Sequence, residues 1–163
     1  MIDVIIPTMW MAAELESALV SYLKNPKIKN VILIDNNRQS RPKWDFLNHD
    51  KLKIICHGNN MFVNPAWNEG YKKSTANIIG VINDDIVVQD SVFEMVINHN
   101  LQKDDIIGVN LRGYKDNYKI DDLIDTKEEI VKLDYDKTQP IGGQAWAFGI
   151  CMFMLRTSYK IIP

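Results

Sequence analysis

The sequence predicts an α/β fold built on a largely parallel sheet, and two observations carry that prediction. Apolar, β-branched runs alternate along the chain with segments whose apolar residues recur at helical spacing. Polar residues also collect at the carboxyl ends of those runs, where the ligand crevice of an open α/β sheet lies. The bulk composition agrees with a single domain. The 163 residues suffice for one core, and 46% apolar with 25% charged residues is the balance of a soluble globular protein. A net charge of -2 gives no global attraction to nucleic acid or to an anionic membrane, so an anionic ligand must be held locally.

The elements follow in order. "DVIIP", Asp3 to Pro7, is a continuous apolar run, the mark of a strand covered on both faces. Leu15, Ala18, Leu19, Tyr22 and Leu23 then repeat with helical spacing and define an amphipathic helix. "VILID", Val31 to Asp35, is a second strand that ends in the turn cluster "NNRQSRP". A short helix is expected from Pro42 to about Leu47, and "KLKIICH" is the third strand. Asn64-Pro65 reads as an N-cap followed by proline at the first helical position, opening a helix to about Ser74. "NIIGVIN" is the fourth strand. "SVFE", Ser91 to Glu94, fits a capping box and starts a helix through about Asn100. "IIGVNL" is the fifth strand. The charged stretch Gly113 to Pro140 is an excursion with a strand at Ile130 to Leu133, and "QAWAFGICMFML" returns to strand character.

Cys56 and Cys151 each lie inside an apolar run and read as buried free thiols in a reducing compartment. The amino terminus has no basic leader, and no stretch reaches the roughly 18 apolar residues of a membrane span. A cytoplasmic protein with no transmembrane segment is expected.

Four polar clusters mark the carboxyl ends of the strands: Pro7-Thr8, Asp35-Asn36-Asn37, His57-Gly58-Asn59-Asn60 and Asn83-Asp84-Asp85. Taken alone, Asn83-Asp84-Asp85 is either an Asx-type turn that stops a strand or a pair of hard oxygen ligands for a divalent cation shared with a diphosphate. Asp35 is likewise a turn residue or an acceptor for a base N–H or a ribose hydroxyl. The helix "NPAWNEGYKKS" directs its positive amino end at the same edge, where a phosphate is favoured. Lys72 and Lys73 read as a solvated face, and His57 as a polar loop residue.

In order and spacing, "VIIPT", "VILIDNN", "NNMFVNPAWNEG" and "GVINDDIVV" resemble the nucleotide-sugar-binding half of a GT-A glycosyltransferase of family 2. Asn60, Asn68 and Gly70 match that family's "N-x-G-…-N-x-G" helix, and Asn83 to Asp85 its "D-x-D" or "N-x-D" strand end. "GGQAWAFGICMFMLRTSYK" resembles the later strand near the acceptor side. The resemblance covers most of residues 2–90 and, more loosely, 141–160. It implies a three-layer sandwich with a central, mostly parallel mixed sheet, residues 1–90 forming the donor half and 91–163 a partial acceptor-side half.

It further implies transfer of a sugar from a nucleotide-diphosphate donor, a UDP-sugar first, to the hydroxyl of a glycan or other acceptor, with inversion and with Mn2+ or Mg2+. Pro7, Thr8 and Asp35 would hold the base, Asn83 or Asp84 the ribose and Asp85 the metal. Asn60, Trp67 and Asn68 would line the nucleotide site. Three departures stand out. Phe62 replaces the glycine expected after Asn60, and Trp67 stands where many relatives carry an arginine. The chain stops at "SYKIIP" before the acidic motif of the family, so the general base is expected beyond Pro163; Asp121, Asp122 and Glu129 are poor substitutes. Two rival readings are a sugar nucleotidyltransferase and a nucleotide-binding module without chemistry. "PTMWMAAELES" offers neither Gly nor Lys for the phosphate loop of the former, while the absent acidic motif favours the latter.

Overall fold

A computed structural model of the protein describes residues 1–37, 41–109, 130–132 and 151–162. Among the described residues, seven strands form one sheet in the order β3-β2-β1-β4-β7-β5-β6. They are β1 (Ile2–Thr8), β2 (Ile28–Asp35), β3 (Leu52–Cys56), β4 (Ile78–Ile82), β5 (Ile106–Val109), β6 (Ile130–Lys132) and β7 (Cys151–Leu155). β3, β2, β1 and β4 pair parallel, whereas β7 runs antiparallel to both β4 and β5, and β6 antiparallel to β5. The first five strands therefore share one direction, and β6 and β7 oppose it.

Side-chain alternation divides the core into two layers. Ile2, Val4 and Ile6 of β1 face helices α1 (Leu15–Lys24) and α3 (Asp90–Asn98), where Leu19, Tyr22 and Phe93 are fully buried. Ile5, Ile32, Ile34, Ile79 and Val81 face the other way, against α2 (Val63–Lys73) and Tyr159. The buried stripe of α1 is Leu15, Ala18, Leu19, Tyr22 and Leu23, the five residues its spacing predicts. Gly70 lets α2 lie close on β1, because a Cβ there would collide with Cγ2 of Ile5.

Several expectations need correction. α2 begins at Val63, not Pro65, and its N-cap is Phe62 rather than Asn64, which puts Pro65 inside the first turn, where its missing N–H costs nothing. α3 begins at Asp90 after Gln89, so Ser91 lies inside the helix, which ends at Asn98. The short helix is a 3₁₀ turn at Asp45–Asn48. Cys56 is exposed, because β3 is the sheet's edge, while Cys151 is buried and its thiol is pushed well up by burial. The excursion outside 130–132, with Asp121, Asp122 and Glu129, and the segment "QAWAFGI" lie outside the described residues. Among the described residues no helix is long and apolar enough to cross a membrane.

Candidate functional site

At the carboxyl edge of β1 the chain forms a cavity of about 760 Å³. Pro7 and Thr8 of β1, Asn36 after β2, Asn60, Phe62 and the first turn of α2, and Asp84 after β4 all contribute to its lining. Such a crevice arises because parallel strands deliver all their outgoing loops to one edge.

Thr8 is its buried centre. Its Oγ1 donates to Asp84 Oδ2 at 2.8 Å and accepts the Trp10 N–H at 2.8 Å, and its carbonyl accepts the Asn36 N–H at 2.9 Å. One threonine thus joins the ends of β1, β2 and β4. The turn after β4 is steadied from below. The buried Tyr22 hydroxyl donates to the Ile86 carbonyl at 3.1 Å and accepts the Val88 N–H at 2.9 Å. Burial raises this phenol far above its usual range, so it remains a donor. Either side of Asp84, Asn83 is half-buried and Asp85 is exposed, with no hydrogen bond among the described residues.

On the β2 side, Asp35 is buried. Its Oδ1 accepts the Asn37 N–H at 3.1 Å and its Oδ2 accepts Arg41 Nε at 2.5 Å. That hydrogen bond raises the Arg41 guanidinium further above its normal range, against the opposing pull of burial. A base N–H reaching Asp35 would share these oxygens or displace Arg41. Asn36 is a clamp whose role the local sequence does not reveal. Its Oδ1 accepts the Met61 N–H at 3.2 Å and its Nδ2 donates to the Phe62 carbonyl at 3.4 Å. Asn36 stands directly after the strand-ending Asp35, at the point where the chain leaves β2.

Two candidates lie elsewhere. Asn68 does not line the cavity; its amide serves the carboxyl-terminal segment: Oδ1 accepts the Tyr159 hydroxyl at 2.8 Å and the Ile162 N–H at 3.0 Å, and Nδ2 donates to the Ile162 carbonyl at 2.7 Å. Trp67 is 6% exposed and packs with Ile5, Ile32 and Ile34, its Nε1 lacking a partner among the described residues. Pro7, Thr8, Asn60 and Asp84 therefore meet at the cavity, Asp35, Asn83 and Asp85 adjoin it, and Trp67 and Asn68 do not reach it. The amino end of α2 lies on the β2 side, tied to Asn36, whereas the acids lie across β1 at the end of β4. A phosphate on the helix and a cation on the acids would sit at opposite ends of the cavity.

Seven strands in this order, covered by helices on both faces and carrying an acidic strand end beside the crevice, define the chain as an α/β domain of the GT-A class. Residues 3–160 match the family described as Glycosyl transferase family 2, and the chain belongs to that family. Among solved structures it is similar to S. aureus TarS 1-349 in complex with UDP-GlcNAc, with a TM-score of 0.52 and 19% identity over 70% of this chain and 36% of that one. It is also similar to the mannosyltransferase PcManGT from Pyrobaculum calidifontis in complex with GDP-Man and Mn2+, with a TM-score of 0.49 and 18% identity over 66% and 34% of the two chains. The chain thus spans about a third of the length of these solved structures. No curated protein matches it.

Proposed function

We propose that the chain is the donor-binding part of a glycosyltransferase that moves a sugar from a nucleotide-diphosphate donor to an acceptor hydroxyl, with inversion and with a divalent cation. The observation that carries this reading is the Thr8–Asp84 hydrogen bond of 2.8 Å at the cavity, in a chain of this family. It holds one carboxylate beside the crevice and leaves the next, Asp85, exposed to solvent.

In this reading Pro7, Thr8 and Asp35 hold the base, Asp84 and Asn83 meet the ribose, and Asn60 shapes the loop that closes the pocket. Asp85 would hold Mn2+ or Mg2+. The donor set fits, because these cations favour carboxylate and phosphate oxygens and often take only one or two carboxylates from the protein. Among the described residues no three His, Cys, Asp or Glu side chains converge on a point, so the other ligands would come from the diphosphate and water. The bound cation would neutralise charge on the departing diphosphate. Inversion requires the acceptor oxygen to attack the anomeric carbon as a base takes its proton. Residues 1–90 would form the donor half and 91–163 part of the acceptor side of one domain.

Calorimetric titration of UDP, GDP, dTDP and their common sugar conjugates, with manganese and with chelator, tests the reading. The complex of S. aureus TarS with UDP-GlcNAc puts a UDP-sugar first in that series. Tight binding of one nucleotide only with metal is expected. A well-folded chain that binds none would leave the acidic cluster as a turn.

A further inference from the structure

Phe62 holds a backbone conformation that glycine adopts freely and phenylalanine does not. Its φ of 63° and ψ of 179° fall in a region essentially reserved for glycine. Three hydrogen bonds force it there. Asn60 Oδ1 accepts its N–H at 2.8 Å, and its carbonyl accepts the Ala66 N–H at 3.3 Å and Asn36 Nδ2 at 3.4 Å. The side chain so presented is 73% exposed and lines the cavity. A ring this exposed adds little to the core, and its backbone would be relaxed in glycine. Neither packing nor local conformation accounts for an aromatic residue here, which leaves a ligand.

We propose that Phe62 is the stacking wall for the nucleobase of the donor. This inference rests on the nucleotide-sugar reading above. Strand order decides which part of the donor the ring meets. Asp84 and Asp85, at the end of β4, take the ribose and diphosphate end; β1 lies between; and Phe62 is tied through Asn36 to the end of β2. A donor laid across β1 with its charged end at β4 brings its base to the β2 side, against Phe62. Trp67 and Tyr71, the aromatic residues of α2, pack in the layer between that helix and the sheet, do not line the cavity and cannot serve. Because every base has a flat π face, the ring supplies affinity for any of them, of about tenfold, and leaves the choice of base to groups such as Asp35.

The test is titration of wild type, Phe62→Ala, Phe62→Leu, Phe62→Tyr and Phe62→Gly with manganese, using whichever of UDP, GDP and dTDP binds the wild type, and with its sugar conjugate, alongside thermal melts. Phe62→Ala and Phe62→Leu are expected to weaken the nucleotide about tenfold, and Phe62→Tyr to retain wild-type affinity. Phe62→Gly should bind as weakly as Phe62→Ala yet melt several degrees higher than wild type, because it relieves the backbone. Wild-type affinity in Phe62→Ala would overturn the proposal, as would full affinity in Phe62→Leu, which would make the wall one of bulk and not of stacking. A loss confined to the sugar conjugate would overturn it too, moving the ring to the sugar. A wild-type chain that binds no nucleotide would overturn the donor reading together with this one, whereas unaltered Phe62→Ala on a binding wild type overturns this one alone.

Discussion

The two ends of the sheet each carry buried polar side chains, and they are built in opposite ways. At the amino end, Asp3 sits inside the apolar run of β1, where an acid must find donors or unfold the strand. It finds four. Its Oδ1 accepts Asn30 Nδ2 at 2.6 Å, and its Oδ2 accepts Ser74 Oγ at 2.9 Å, the Thr75 N–H at 2.5 Å and the Ala76 N–H at 2.8 Å. This ties β2 and the exit of α2 to β1. At the carboxyl end, Thr8, Asn36 and Asp84 are also joined, but around a cavity of about 760 Å³. A carboxylate whose acceptor sites are spent inside the fold is structural. One that keeps free acceptor positions toward a cavity is where a ligand can bind.

The largest expected effect lies at the amino end. Asp3→Ala leaves the Asn30 amide, the Ser74 hydroxyl and two backbone N–H groups without their acceptor. Each such buried group costs about 1–3 kcal/mol; allowing for water entering the space, a loss of about 4 kcal/mol in chemical denaturation is expected. A loss below about 1 kcal/mol would make Asp3 incidental and erase the contrast. The same carboxylate gives a pH signature. Burial pulls its pKa up, but the Thr75 N–H, the Asn30 amide, the Ala76 N–H and the Ser74 hydroxyl outweigh burial and hold it below 3.8. Because the folded value is the lower one, its contribution is complete above the unfolded value of 3.8 and is lost as pH falls through the folded value. The stability difference between wild type and Asp3→Asn should therefore be flat at neutral pH and shrink in acid below that value. A difference that grows in acid would reverse the sign and refute the assignment.

Gly70→Ala comes next and reaches both ends at once. α2 lines the cavity with its first turn and hands Ser74 to Asp3 at its exit, and its close approach to β1 depends on the missing Cβ at Gly70. Overpacking against Ile5 should cost about 1–3 kcal/mol and weaken nucleotide binding in the same variant. Stability lost with binding intact would show that the two ends respond independently to the position of α2.

Much of this was legible in the residues, and the misses have physical causes. The ends of β1, β2 and β4 and the buried face of α1 follow from local apolar pattern, which chain-distant contacts do not alter. Which face of α2 meets the cavity does not. Asn68 is claimed by Tyr159 and Ile162, more than ninety residues later, and no local period reveals a segment that folds back from so far. Cys56 is exposed because β3 is an edge, and strand order is a property of the whole sheet. The start of α2 differs from the capping pattern for a sharper reason. Asn64-Pro65 has good capping chemistry, but the strained Phe62 ends the loop two residues earlier and its carbonyl accepts the first helical N–H. Asp3 carries a signal of its own: a lone acid within a doubly covered strand announces a hub.

The smallest expected effect on stability is the one that bears most on function. Asp85 is exposed and has no hydrogen bond among the described residues, so Asp85→Ala removes nothing the fold uses, and its stability should match wild type within about 0.5 kcal/mol. Asp84 stays held by Thr8, so the cavity keeps its shape. If the proposed donor site is right, nucleotide binding that depends on manganese should nonetheless disappear, because the cation would lose a protein carboxylate that its phosphate ligands do not replace. Thermal melts with and without nucleotide and metal separate the outcomes. Wild-type melting in the absence of ligand, with the ligand-induced rise abolished, is the expected pattern. A lower melting temperature without ligand would make Asp85 a structural acid like Asp3. The carboxyl edge would then be a second satisfied cluster, and the contrast between the two ends would fall.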